Sequence, residues 1–265
     1  MTDLTLADDL AVALTLAHEA DLIAIDRYRA QDLDVQLKPD RTQVTDADTR
    51  VEKMIRDHLA QARPQDAVLG EEFGGGDAHA AGRQWIIDPI DGTANFVRGV
   101  PIWGSLIALV VDGVPQVGVV SAPALGRRWW GATGHGAWTE ADGKPARRIR
   151  VSGITDPADA TLSYNSLKHW DEAGRLEQLI ELSRAVGRTR AFGDLWSYML
   201  LAEGAIDIAA EFDVKPWDIS ALIPIVREAG GAVTDVTGGD RLDTLSVVAS
   251  NGALHGTVLE FLGVG

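Results

Sequence analysis

The stretch Trp85-Ile86-Ile87-Asp88-Pro89-Ile90-Asp91-Gly92-Thr93 decides how the rest of the chain is read. Three large apolar residues in a row read as a buried strand, which delivers Asp88 at its end. Pro89 disfavours a helical Asp88, so the chain leaves the strand extended. Asp91 follows one short turn later, which lets two carboxylates converge on one point. Gly92 permits close backbone approach, and Thr93 can cap a helix that begins there. Amides at a helix start bind phosphate well, yet two carboxylates beside such a turn repel an anion unless hard cations sit between them. Carboxylate and carbonyl oxygens without His or Cys suit Mg²⁺ or Mn²⁺. A purely structural reading makes the same residues an Asx-turn plus an N-cap, and the segment alone leaves both open.

Upstream, Leu6, Leu10, Ala13, Leu14 and Ala17 recur at helical spacing, so the chain opens with an amphipathic helix. A polar stretch leads to Val44-Thr45-Asp46-Ala47-Asp48, and Val51, Met54, Ile55, His58 and Leu59 mark a second helix stopped near Pro64. A short strand over 67–69 runs into Gly70-Glu71-Glu72, and Gly74-Gly75-Gly76 is a mobile loop by composition. Downstream, residues 105–111, 117–121 and 128–130 read as strands, with Asp112-Gly113 as a hairpin turn. From about Ala160 helices (176–186, 194–202, 218–229, 253–262) alternate with strands (206–210, 246–249); Gly230-Gly231 caps the third helix. Residues 1–150 thus look like an α+β half and 151–265 like an α/β half.

Apolar residues make up 46% of the 265 and charged ones 24%, enough for a sizeable core. The absence of cysteine excludes disulfides and thiolate metal sites and suits a reducing compartment. The first ten residues carry Asp3, Asp8 and Asp9 and no basic region, so no secretory signal is read there. No apolar run approaches the ~20 residues of a membrane helix. A cytoplasmic location is the expectation. Lys and Arg total 24 against 39 Asp and Glu, a net −15. Such a surface repels nucleic acid, and would also repel a small phosphate ester unless cations intervene.

Other acids share the ambiguity of Asp88 and Asp91 when taken singly. Glu71 follows a short strand and could be a solvated turn residue, as Glu72 is expected to be. Asp218, after Pro216-Trp217, could be an ordinary N-cap. Asp48 stands three residues after Thr45, at capping-box spacing. The six histidines show no zinc-type pairing. No Walker loop, nucleophile elbow or dinucleotide fingerprint is present.

Their combination and order decide the matter. Lys38-Pro39 with Val44-Thr45-Asp46-Ala47-Asp48, Gly70-Glu71-Glu72, the run from Asp88 to Phe96, Trp217-Asp218-Ile219-Ser220-Ala221 and Glu228-Ala229-Gly230-Gly231 together resemble the inositol monophosphatase superfamily over nearly the whole chain. Ser220 departs from the Ala or Gly of many relatives. The resemblance implies a layered αβαβα sandwich, a homodimer, lithium sensitivity, and two or three Mg²⁺ ions (or Mn²⁺) per site hydrolysing a small phosphate monoester. By position, it implies that Glu71, Asp88 and the Ile90 carbonyl hold a first metal, and that Asp88, Asp91 and Asp218 hold a second. It further implies that Thr93 and Glu71 position the attacking water, that Asp48 orients Thr93, and that Gly92 and Thr93 amides hold phosphoryl oxygens. Lys38 matches a family position near the same loop.

Specificity falls to the leaving-group side, where Arg190-Ala191-Phe192-Gly193-Asp194 and Glu211 stand. An acidic residue in a Gly-Asp pair after an aromatic resembles the bacterial histidinol-phosphate phosphatase branch, as do Gly70-Glu71-Glu72-Phe73-Gly74 and Arg127-Arg128-Trp129-Trp130. Asp194 and Glu211 would then pair with an ammonium and an imidazole. Asp194 reads equally well as a helix cap; Arg190 could pair with Asp194 or reach across a dimer interface. Inositol-1-phosphate, fructose bisphosphate and a 3′-phosphoadenosine nucleotide are rival substrates. A role as a partner of a transcription complex is the rival outside enzymology.

Overall fold

The computed structural model describes residues 5–78, 80–141 and 143–264. Helix α1 (Leu6–Arg27) starts at a capping box in which Thr5 and Asp8 satisfy each other's backbone amides. A small hairpin, β1 (Val35–Leu37) with β2 (Gln43–Thr45), leads into α2 (Asp46–Ala62), whose capping box is made by Thr45 and Asp48. Strand β3 (Ala67–Gly70) then pairs in parallel with β4 (Arg83–Asp91). From Gln84 onward every residue of β4 is buried, so this strand has to be covered on both faces.

Helix α3 (Thr93–Val97) follows, and β5 (Gly104–Val111), β6 (Val114–Ala122), β7 (Arg127–Ala132), β8 (Gly136–Ala141) and β9 (Arg147–Arg148) extend the sheet as an antiparallel meander. Asp112 and Gly113 both adopt positive φ at the tight β5–β6 turn, the geometry that matches the twist of a hairpin. Side chains alternate across β4. Trp85 and Ile87 join Leu16, Val51 and Ile55 under α1 and α2, whereas Ile86 faces the opposite core with Leu106, Val120 and Trp129.

The second half lays down β10 (Thr161–Tyr164), α4 (Leu167–Glu172), α5 (Leu176–Ala185), β11 (Arg188–Arg190), α6 (Asp194–Ala202), β12 (Ile208–Phe212), α7 (Pro216–Ile219), α8 (Leu222–Glu228), β13 (Ala232–Thr234), β14 (Ser246–Ser250) and α9 (His255–Phe261). Its sheet runs β11-β10-β12-β14-β13, parallel between β11, β10 and β12 and antiparallel beyond. Helices α6 and α8 lie between the two sheets and share one core with both; Ile225 and Val226 meet the first sheet's cluster, and Ala209, Val233 and Ala249 come from the second. Helices α4, α5 and α9 cover the far face through Trp170, Leu182 and Val258. The layers are therefore αβαβα, as the motifs implied. Close approach demands glycine where α8 crosses the sheet: a Cβ at Gly118 would collide with the Ala221 carbonyl oxygen.

One expected element divides in two. Residues 218–229 read as a single helix, but α7 and α8 are separated at Ser220 and Ala221. Pro224 has no N–H for the Ser220 carbonyl, and its ring crowds that carbonyl, so the turn opens there. Gly230 and Gly231 close α8 by donating to Arg227 and Val226 carbonyls, as expected. Strands β1, β2, β8 to β11 and β13 lie outside the segments read as strands. The triple glycine is tied at its start, since Gly70 and Gly74 exchange two backbone bonds of 3.1 Å. No helix among the described residues is long and apolar enough to cross a membrane.

Candidate active site

Residues three apart on a regular strand point to opposite faces. Asp88 and Asp91 escape that rule because β4 breaks register with β5 between the pairs Asp88–Leu106 and Asp91–Gly104. Asp88 Oδ1 accepts the Ile90 amide at 2.9 Å, and the Pro89 carbonyl accepts the Ser105 hydroxyl at 2.7 Å, which fixes the irregular turn. Gly92, at φ +78°, takes the N-cap position of α3. The expectation that Thr93 caps this helix is thereby corrected. Its hydroxyl instead lies 2.9 Å from the Ile90 carbonyl and 3.3 Å from Asp48 Oδ1.

Asp218 reaches the same place from the other half of the chain. It is the third residue of α7, so Lys215 and not Asp218 holds the N-cap position; the Asp218 Oδ2 instead reaches back to accept the Lys215 amide at 2.7 Å. The ligand reading is compatible with it. One oxygen from each of Asp88, Asp91 and Asp218 lies within 4.8 Å of the others. Asp91 also anchors the start of α6, where its Oδ2 accepts the Leu195 amide at 2.6 Å.

No Lys or Arg pairs with Asp88 or Asp91 among the described residues. Burial, followed by repulsion from Glu71, Asp91 and Asp218, pushes Asp88 well above the usual carboxylate range. Asp91 is raised likewise by burial and then by Asp194 and Asp218. Burial lifts Asp218 to about 7 against the Lys215 amide, which works the other way. Mutually repelling, oxygen-only donors fit a hard divalent cation, which would relieve the repulsion.

Glu71 stands at the end of β3, close enough for its charge to act on Asp88 and Asp218. Its Oε1 accepts from Lys38 Nζ at 2.7 Å, and the same ammonium holds Glu72 at 2.8 Å. Burial opposes the charge on Lys38, but those bonds outweigh it and raise its pKa. Glu72 is not the solvated turn residue expected: its side chain is largely buried beside Lys38 and is pushed up to about 7, first by burial and then by Glu71. Asp48 is fully buried; burial and the neighbouring Glu71 raise it to about 6, while the Thr45 bonds oppose that rise.

Beside the carboxylates opens a cavity of about 310 Å³, with Asp91 and Asp218 on one wall and Phe192, Asp194, Glu211 and His169 on others. Asp194 does not cap α6 through its side chain; Gly193 holds the cap position, and Asp194 adopts φ +49°. Its Oδ2 accepts from Asn95 Nδ2 at 3.0 Å. Burial raises both Asp194 and Glu211, the latter well above its ordinary value with Asp194 and Asp218 adding repulsion. Arg190 is not paired with Asp194: it is exposed and donates to the Thr189 carbonyl at 2.7 Å. Sequence reasoning misses Asn95 and Tyr198. Asn95 lies inside the Asp88–Phe96 run but carries no charge to mark it, and Tyr198 meets Glu211 only through folding.

Layer order and carboxylate cluster define the class: a five-layer αβαβα protein whose acidic cleft could hold divalent cations. Residues 6–262 match the model of the inositol monophosphatase family. The chain is 54% identical to a histidinol-phosphatase of Mycobacterium tuberculosis, over 97% of this chain and 99% of that protein. It is 49% identical to a histidinol-phosphatase of Streptomyces coelicolor, over 96% and 97% of the two chains. The solved structure of the extragenic suppressor protein SuhB from Bartonella henselae superposes with a TM-score of 0.84 at 31% identity, over 96% and 98%. The chain belongs to the inositol monophosphatase family.

Proposed function

We propose that this chain is a Mg²⁺-dependent phosphatase that hydrolyses L-histidinol phosphate to L-histidinol and inorganic phosphate, a step of histidine biosynthesis. The observation that carries the substrate is a pair of acids, the part-buried Asp194 and the buried Glu211, in the cavity that adjoins the Asp88–Asp91–Asp218 cluster. A leaving group with an ammonium and an imidazole supplies the positive charge that those acids lack. Each charge-assisted bond of this kind contributes roughly 1.5–3 kcal/mol. Two relatives of about half identity that carry the histidinol-phosphatase name support the same reading.

Glu71, Asp88, Asp91, Asp218 and the Ile90 carbonyl would hold two or three ions. When bound, such ions supply charge neutralisation for the phosphate dianion and acidify the attacking water. The chain's own groups do the positioning. Thr93 Oγ1, oriented by Asp48, and the Glu71 carboxylate hold the water; Glu71 receives its proton. Gly92 leaves room, and its amide with that of Thr93 meets the phosphoryl oxygens; any side chain there would crowd the Ile102 carbonyl and Asp194. Lys38 keeps Glu71 anchored from outside the cavity. A homodimer, a cytoplasmic location and inhibition by Li⁺ complete the proposal.

Phosphate release measured side by side on histidinol phosphate, inositol-1-phosphate and fructose 1,6-bisphosphate at equal Mg²⁺ tests it. The highest kcat/KM is expected on histidinol phosphate. A preference for inositol-1-phosphate would overturn the substrate while leaving the reaction class in place.

A further inference from the structure

Helix α2 carries three polar residues at four-residue intervals, Asp48, Glu52 and Arg56, so all three lie on one face. Asp48 meets the Thr93 hydroxyl. Glu52 is fully buried, an unusual place for a carboxylate, and no step of the proposed reaction uses it. Its Oε2 accepts the Glu72 amide at 2.7 Å and its Oε1 accepts the Phe73 amide at 3.2 Å. Arg56 Nε donates to the same Oε1 at 2.8 Å, and another Arg56 nitrogen donates to the Gly74 carbonyl. The carboxylate lies so tightly under the end of β3 that a Cβ at Gly70 would collide with it. The turn that follows Glu71 is therefore held from α2 at Glu72, Phe73 and Gly74.

We infer that Glu52, locked by Arg56, is a positioning residue that sets the backbone turn carrying Glu71, and through it the affinity of the acidic centre for divalent cations. One helix face thus fixes both the Glu71 turn and Thr93 at a set separation. A carboxylate is required because two amides and a guanidinium converge on its two oxygens. A carboxamide offers one oxygen and turns an NH₂ donor on one of those donors. The inference rests on the reading of Glu71 as a cation ligand.

The test is calorimetric titration of Mn²⁺ into wild type, Glu52→Gln and Arg56→Lys, each also assayed for KM on histidinol phosphate at saturating Mg²⁺ and for Tm. Loss of support behind a ligand typically weakens cation affinity roughly 10- to 100-fold. The expected result for Glu52→Gln is a weakening at the lower end of that range, with KM unchanged and a cooperative melt. Arg56→Lys should shift in the same direction by less. Wild-type Mn²⁺ affinity in a folded Glu52→Gln protein would overturn the inference. If Glu52→Gln does not fold, Arg56→Lys decides: weakened Mn²⁺ binding supports the inference, and unchanged binding overturns it. A wild-type protein that binds no Mn²⁺ would instead overturn the cation-site reading itself.

Discussion

Asp88 sits at the centre of the site, buried and surrounded by other acids that raise it. Asp88→Asn keeps the shape and the acceptor to the Ile90 amide but removes one carboxylate charge from the proposed cation site. Turnover is expected to fall by at least about a hundredfold while the circular dichroism spectrum is unchanged; wild-type turnover at saturating Mg²⁺ would show that Asp88 is no ligand. Thr93→Ala should lower kcat far more than Mg²⁺ affinity, because the hydroxyl is the group proposed to hold the attacking water, whereas the Ile90 carbonyl and the carboxylates that would hold the cations remain without it. Equal losses of both would make Thr93 a structural residue. Asp194→Asn should narrow the preference for histidinol phosphate over inositol-1-phosphate by about tenfold, one charge-assisted bond's worth, without abolishing hydrolysis. At this scale the sequence is legible where chemistry is local. Asp88, Asp91 and Asp218 announce themselves through strand ends, prolines and caps. The side chain of Arg190 is not legible, since which way an exposed arginine turns depends on a loop with no periodic signal.

Elements are legible in proportion to their regularity. Helices α1 and α2 stand where their apolar spacing puts them, and β4 to β6 follow their apolar runs. Strand β11 reads Arg-Thr-Arg, and β9 is two arginines, so neither carries a hydrophobic signature; their strand state comes from neighbours in the sheet. The break between α7 and α8 is foreshadowed by Pro224, but its position depends on where the Ser220 carbonyl needs a donor. The tight crossing of α8 over β6 yields a prediction. Gly118→Ala forces the backbones apart and should cost about 1–3 kcal/mol, as overpacked sites do, read as a lower denaturant midpoint at unchanged slope. A neutral result would mean that α8 can shift without loss.

Across the whole molecule, the net charge of −15 and the buried acids act together. Asp48 and Asp218 titrate near 6 and 7 when folded, whereas free carboxylates titrate near about 4. Between those limits these two groups bind more protons in the folded chain than in the unfolded one, so their contribution to the stability of the cation-free protein falls as pH rises from about 4 to 7. On the proposed function, Mg²⁺ would replace those protons as the neutralising charge. The Tm gained on adding Mg²⁺ is therefore expected to be larger at pH 8 than at pH 5; an equal or larger gain at pH 5 would contradict this account. The layer order is legible only through the resemblance, because no local pattern tells which face of a sheet a helix three elements away will cover.

The central claim is that carboxylates from both halves of the chain work through bound divalent cations on a phosphate ester. It is tested most directly by phosphate release from histidinol phosphate with protein stripped of cations by EDTA and Mg²⁺ then restored. Release is expected to be absent in the chelated protein and to recover with Mg²⁺. Full turnover in the presence of excess EDTA would contradict it.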